Sequence, residues 1–162
     1  MQVLREAIAQ HQLRFYGVSY DCNTEVLVTA GATEAIAGAL LGLLEPGDEV
    51  ILFEPMYDSY QACIALAGAV SVPVLLQPPS YRPNMAALES AITERTKILL
   101  INSPHNPTGM LLRPEEQQQI VRIAQQHNLV IISDEVYEHL VFDGQRHASI
   151  AEIPEARERS VV

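Results

Sequence analysis

Apolar residues along this chain fall into short unbroken runs, separated by stretches with helical spacing. The runs Val50–Phe53, Val70–Leu75, Lys97–Ile101 and Leu129–Ile132 read as strands. They do not alternate apolar with polar positions, which is the pattern of strands covered on both faces. A shorter run, Val26-Leu27-Val28, reads as a further strand, and Ser160-Val161-Val162 as the start of another. Between the runs lie helical segments. Val3–Tyr16 places Leu4, Ile8 and Leu13 roughly on one face and ends at Gly17. Glu34–Leu44, Ser59–Ala67 and Met85–Ile92 follow, and Pro114 opens a helix to about His127 from a first-turn position. A short helical segment is predicted from Asp134 to about Leu140. Pro46-Gly47-Asp48, Pro78-Pro79 and Ser103–Gly109 are turn and loop sequences.

Strands alternating with helices through short connections define an α/β fold: a mostly parallel sheet with helices on both faces. Such sheets bind ligands beyond the carboxyl ends of their strands. Candidate chemistry therefore belongs to the residues that directly follow each strand. With 162 residues the chain is long enough for one domain with a hydrophobic core.

Composition narrows the partners. The formal net charge is −10, with 20 acidic and 10 basic residues. That balance excludes nucleic acid and anionic membranes as main partners. It permits a phosphate-bearing small molecule, because backbone amides bind phosphate without net positive charge. No apolar run is long enough to span a membrane. No charged-then-apolar leader opens the sequence, so a cytoplasmic location is expected. Cys22 and Cys63 show neither metal spacing nor a disulfide framework, and the histidines are scattered, so no metal site is expected. Lys97 is the single lysine.

Four segments follow strands. Gly31-Ala32-Thr33 leads into a helix, where small residues and free amides suit an anion; as an ordinary turn, it would use Thr33 as helix cap. Glu54-Pro55-Met56-Tyr57-Asp58-Ser59-Tyr60 offers an aromatic ring at the mouth of the sheet, or a tyrosine at the core rim. Asn102-Ser103-Pro104-His105-Asn106-Pro107-Thr108-Gly109 is a tightly constrained loop that aims Asn106 above the sheet. Asp134 closes the last long apolar run with Tyr137 three residues on; it either meets a cation or donor, or caps the segment that follows.

In this order the four segments, with Gly31-Ala32-Thr33-Glu34-Ala35 first and Ser133-Asp134-Glu135-Val136-Tyr137-Glu138 last, resemble class I aminotransferases of fold type I. The branch holding kynurenine/glutamine transaminases and bacterial methionine aminotransferases is the nearest in look. The resemblance covers the chain from Leu4-Arg5-Glu6-Ala7-Ile8-Ala9 onward. It implies pyridoxal 5'-phosphate as cofactor, with Gly31, Ala32 and Thr33 at its phosphate and Tyr57 stacked on its ring. It further implies Asn106 and Tyr137 on the phenolic oxygen and Asp134 on the protonated ring nitrogen. The implied reaction passes an amino group from an amino acid to a 2-oxo acid, usually in a homodimer.

The resemblance also implies what this sequence lacks. The family's Schiff-base lysine is expected just beyond Val162, and Lys97 cannot replace it because it precedes a strand. The N-terminal arm and the C-terminal small domain are expected to be absent. Residues 1–162 thus read as a partial cofactor-binding large domain, inactive alone. The rival readings are a non-catalytic remnant or split subunit needing a partner chain, and an unrelated nucleotide-binding fold. The second lacks its Gly-x-Gly-x-x-Gly turn. In the family, later strands separate Val26–Thr29 from the rest of the sheet, so this run is expected to lack a neighbour.

Overall fold

The computed structural model describes residues 1–162. Five parallel strands form one sheet: β1 (Glu49–Glu54), β2 (Val70–Leu75), β3 (Thr96–Asn102), β4 (Val130–Asp134) and β5 (Ser160–Val161). Their order across the sheet is β2-β1-β3-β4-β5. The helices are α1 (Gln2–Tyr16), α2 (Ala32–Leu43), α3 (Ser59–Leu66), α4 (Met85–Ser90) and α5 (Pro114–Gln126).

The apolar runs are explained by two cores, one on each face of the sheet. Ile51 and Phe53 of β1, with Leu99 and Ile101 of β3, pack toward α4 and α5. Val50 and Leu52, with Ile98 and Leu100, pack toward α2 and α3. Neighbouring residues of a strand point to opposite faces, so a strand buried on both must be apolar throughout. β2 lies at the sheet edge and is more exposed, which is where Pro73 costs no ladder hydrogen bond. Pro114 takes the first turn of α5, and the Glu116 carboxylate accepts the Arg113 amide at 2.8 Å. Half-buried Arg82 donates from Nε to Glu116 Oε1 at 2.8 Å, tying the loop after β2 to this helix.

Two expectations are corrected. Val26-Leu27-Val28 forms no strand: nothing pairs with its backbone, and Leu27 is 86% exposed. The segment after Asp134 is not a helix but two successive tight turns, closed by Glu138 N to Glu135 O at 2.8 Å and Leu140 N to Tyr137 O at 2.7 Å. α1 is present and ends as predicted at Gly17, whose φ of 68° suits glycine. Its apolar face, however, buries nothing, and Leu4 and Leu13 remain exposed.

β1 leads outward to β2, and the chain then crosses back over β1 to add β3, β4 and β5. The strand order reverses between β1 and β3. In open parallel sheets ligands bind beyond the carboxyl ends of the strands.

Candidate cofactor site

At the carboxyl ends of β3 and β4 the strand register sets two polar side chains next to each other, because Asn102 pairs with Asp134. Asn102 Nδ2 donates to the Asp134 carbonyl at 2.9 Å, and Asn102 Oδ1 accepts the Asn106 amide at 2.7 Å. Asn102 thereby joins the loop carrying Asn106 to the strand carrying Asp134. The loop is closed further by His105, whose amide donates to Met110 O at 2.8 Å and whose carbonyl accepts from Gly109 at 2.7 Å. The buried His105 ring lies 2.7 Å from Thr108 Oγ1. Burial lowers its pKa below the ordinary 6.5, opposed by a backbone hydrogen bond at Pro55.

The Asp134 carboxylate is held from two sides. Tyr60, only 3% exposed, donates its hydroxyl to Oδ2 at 2.6 Å. The Val136 amide donates to Oδ1 at 3.1 Å. Burial pushes the Tyr60 hydroxyl far above the range of a free phenol, and Asp134, Tyr137 and Tyr57 add to this. Tyr60 therefore stays a donor. Each carboxylate oxygen accepts more than one hydrogen bond, so Asp134 retains capacity for another donor.

Opposite Asp134 stands the start of α2. Gly31 is its N-cap, with φ 89° and ψ 172°, a conformation that a side chain would strain. Thr33 lies inside the first turn and is not the cap. The first amides of the helix have no intrahelical acceptor, and the dipole end is positive. Glu34 in this turn directs its carboxylate back to the Ala30 amide. Between α2 and the end of β4 lies a cavity of about 290 Å³, walled by Ala32, Ala35 and Ala39 on one side and Asp134 and Val136 on the other. Small alanines on that helix face leave the space.

The predicted residues are thus gathered to different degrees. Ala32 and Asp134 share the cavity, with Gly31 and Thr33 flanking Ala32. Tyr57, 41% exposed, meets Tyr60 edge-on with ring centres 5.6 Å apart, and reaches Asp134 through it. Asn106 is linked through Asn102. Tyr137 sits half-buried in the first turn after Asp134, and no hydrogen bond joins it to Asn106. Sequence reading left Tyr60 and Asn102 without roles. Tyr57 precedes α3 whereas Tyr60 lies in its first turn, and only Tyr60 is turned into the core. Lys97 lies exposed near the amino end of β3, at the far edge of the sheet from Asp134.

Sheet order and the polar network define a parallel α/β protein with polar side chains gathered at the carboxyl ends of β3 and β4. The sequence matches the family described as aminotransferase class I and II over residues 1–162, and the chain belongs to that family. It is 54% identical over 160 residues to a probable N-succinyldiaminopimelate aminotransferase of Mycobacterium tuberculosis, covering 98% of this chain and 40% of that protein. It is 43% identical over 161 residues to methionine aminotransferase of Escherichia coli, covering 99% and 42%. The solved structure of the Escherichia coli protein with methionine aminotransferase function superimposes with a TM-score of 0.95 at 42% identity, over 99% of this chain and 42% of that one. The chain thus spans about two fifths of the length of these relatives.

This family works with pyridoxal phosphate. The residues present fit that group: free helix amides for a phosphate, an exposed ring for stacking, and a carboxylate with spare acceptor capacity across a cavity of suitable size.

Proposed function

We propose that residues 1–162 are the cofactor-binding part of a pyridoxal-phosphate-dependent aminotransferase and bind that cofactor non-covalently. The observation that carries this reading is the Tyr60–Asp134–Asn102–Asn106 network, which opens onto a cavity beneath the amides of α2. Gly31, Ala32 and Thr33 bind the phosphate through backbone amides, with the Thr33 hydroxyl as a further donor. Tyr57 stacks on the ring and shields one face from water. Asn106 and Tyr137 donate to the phenolic oxygen. Asp134 accepts from the ring nitrogen and holds a proton there, since a nearby carboxylate favours the protonated form. Tyr60 and Val136 keep that carboxylate oriented. Pyridoxal phosphate, when bound, supplies an electron sink for moving an amino group between an amino acid and a 2-oxo acid.

The chain on its own does not turn over. Its single lysine, Lys97, stands at the wrong end of β3 to reach the cavity, so no side-chain amine serves as covalent anchor or proton carrier there. The intact protein is a cytoplasmic homodimer in this reading; exposed Leu27, Leu41 and Leu66 support a covered surface. Titration of the purified chain with pyridoxal phosphate, followed by calorimetry, tests the proposal. Asp134→Ala weakens binding by about tenfold, the equivalent of one charge-assisted hydrogen bond. Equal affinity in the variant removes Asp134 from the site. Transamination by the 162-residue chain alone refutes the claim of inactivity.

A further inference from the structure

At the outer rim of the cavity three side chains converge that play no part in the reading above. His11 of α1 places Nε2 3.0 Å from Glu138 Oε1. His139 places its Nε2 3.9 Å from the same oxygen. The three candidate ligand atoms all lie within 4.8 Å of one another. Around a tetrahedral ion with bonds of about 2.0–2.1 Å, ligand atoms are about 3.3 Å apart. His11 and Glu138 already have nearly that spacing. His139 is 58% exposed and closes the remaining gap by rotating its side chain.

The surroundings favour a coordinating geometry. Tyr16 donates to the second carboxylate oxygen of Glu138, which orients that ligand as an outer partner does in metal centres. Phe15 packs against both imidazoles, with ring centres 4.6 Å from His11 and 5.1 Å from His139, and keeps them on one side of Glu138. Both Glu138 carboxylate oxygens are thus engaged, one by Tyr16 and the other by His11. Two imidazole nitrogens and one carboxylate suit zinc and similar transition ions; magnesium and calcium prefer all-oxygen sets.

We propose that His11, Glu138 and His139 form a three-ligand site for a divalent transition-metal ion of the zinc type, with one coordination position open. The inference does not depend on cofactor binding. Spacing along the chain could not have shown it, since 127 residues separate His11 from Glu138. The site has a structural consequence as well. α1 buries no residue, so its hold on the protein rests on polar contacts such as these. A bound ion would clamp α1 onto the turn that carries Tyr137.

Cobalt(II) and zinc(II) titrations of the chelator-treated, cofactor-free chain test the site. The wild type takes up one equivalent of cobalt with the intense visible absorption of a low-coordinate ion, and zinc displaces it. Zinc also raises the melting temperature, because it binds only the folded state. His11→Ala and His139→Ala each weaken zinc binding by about tenfold or more and abolish the thermal shift. His127→Ala, at an exposed histidine paired only with Glu89, leaves both unchanged. His139→Ala removes an exposed ring and keeps the fold, which circular dichroism verifies. Absence of stoichiometric binding, equal affinity in the His11 and His139 variants, or loss of binding in His127→Ala overturns the proposal.

Discussion

Replacing Tyr60 by Phe removes one oxygen atom and little else. The ring stays in its place, because Tyr60 is 3% exposed and packed among Leu40, Ile64 and Leu100 in the core beneath α2 and α3. No cavity larger than a hydroxyl is created. What disappears is the 2.6 Å donation to Asp134 Oδ2, leaving the carboxylate only the Val136 amide at 3.1 Å. A hydrogen bond to a charged acceptor contributes about 1.5–3 kcal/mol. Asp134 is only partly buried, and water recovers some of the loss, so the expected destabilisation is about 1.5–2 kcal/mol. With a urea dependence of about 1–3 kcal/mol per molar, the unfolding midpoint drops by about 1 M. The assay is urea denaturation of wild type, Tyr60→Phe, Asp134→Ala and the double variant. The two substitutions should be non-additive by about 1 kcal/mol or more, since each removes the same bond. A midpoint change below about 0.2 M, or full additivity, refutes the view that Tyr60 holds Asp134.

Two further outcomes follow from the same site. Burial depresses the His105 pKa below 6.5, so the unfolded chain takes up a proton before the folded chain does. The stability from this group is complete above about pH 6.5 and is lost as the pH falls through the lower folded value; denaturant midpoints measured from pH 7 to 5 should decline more steeply in wild type than in His105→Gln, and parallel curves would count against it. His147 and Glu135 form a buried pair beneath the turn after Asp134, with Nε2 and Oε2 2.9 Å apart. His147→Leu leaves that Glu135 oxygen without its partner, at a cost of about 2 kcal/mol and a melting temperature lower by about 4–8 °C; an unchanged melting temperature would show the pair to be dispensable.

The strands were legible because burial on both faces leaves a mark that local sequence cannot disguise. Val50–Phe53 and Lys97–Ile101 match β1 and β3 to within a residue or two at each end. Val26-Leu27-Val28 carries the same mark and still forms no strand, because pairing depends on a neighbour and not on the run itself. The helical spacing of α1 was legible to its end at Gly17, but spacing does not show whether an apolar face is buried, and this one buries no residue. Between Asp134 and Leu140 the side-chain acceptor of Asp134 captures the Val136 amide, and a tight turn replaces the first turn of a helix. Of the site, the residues after strands could be named from order alone. Tyr60 and Asn102 act through other residues, and that relation appears only when register places Asn102 beside Asp134.

The cavity joins two regions of unequal rigidity. Asp134 ends β4, which is paired on its inner side with β3 over five residues; Val161, which also lines the cavity, belongs to β5, which pairs with β4 over two residues. Amide hydrogens of β1 and β3 should therefore exchange with solvent only on global unfolding, whereas those near Val161 exchange through local fraying. A ligand that fills the cavity spans both regions. Its occupancy would be recorded most sensitively as slowed exchange along β5, the wall of the cavity held by the fewest strand pairings.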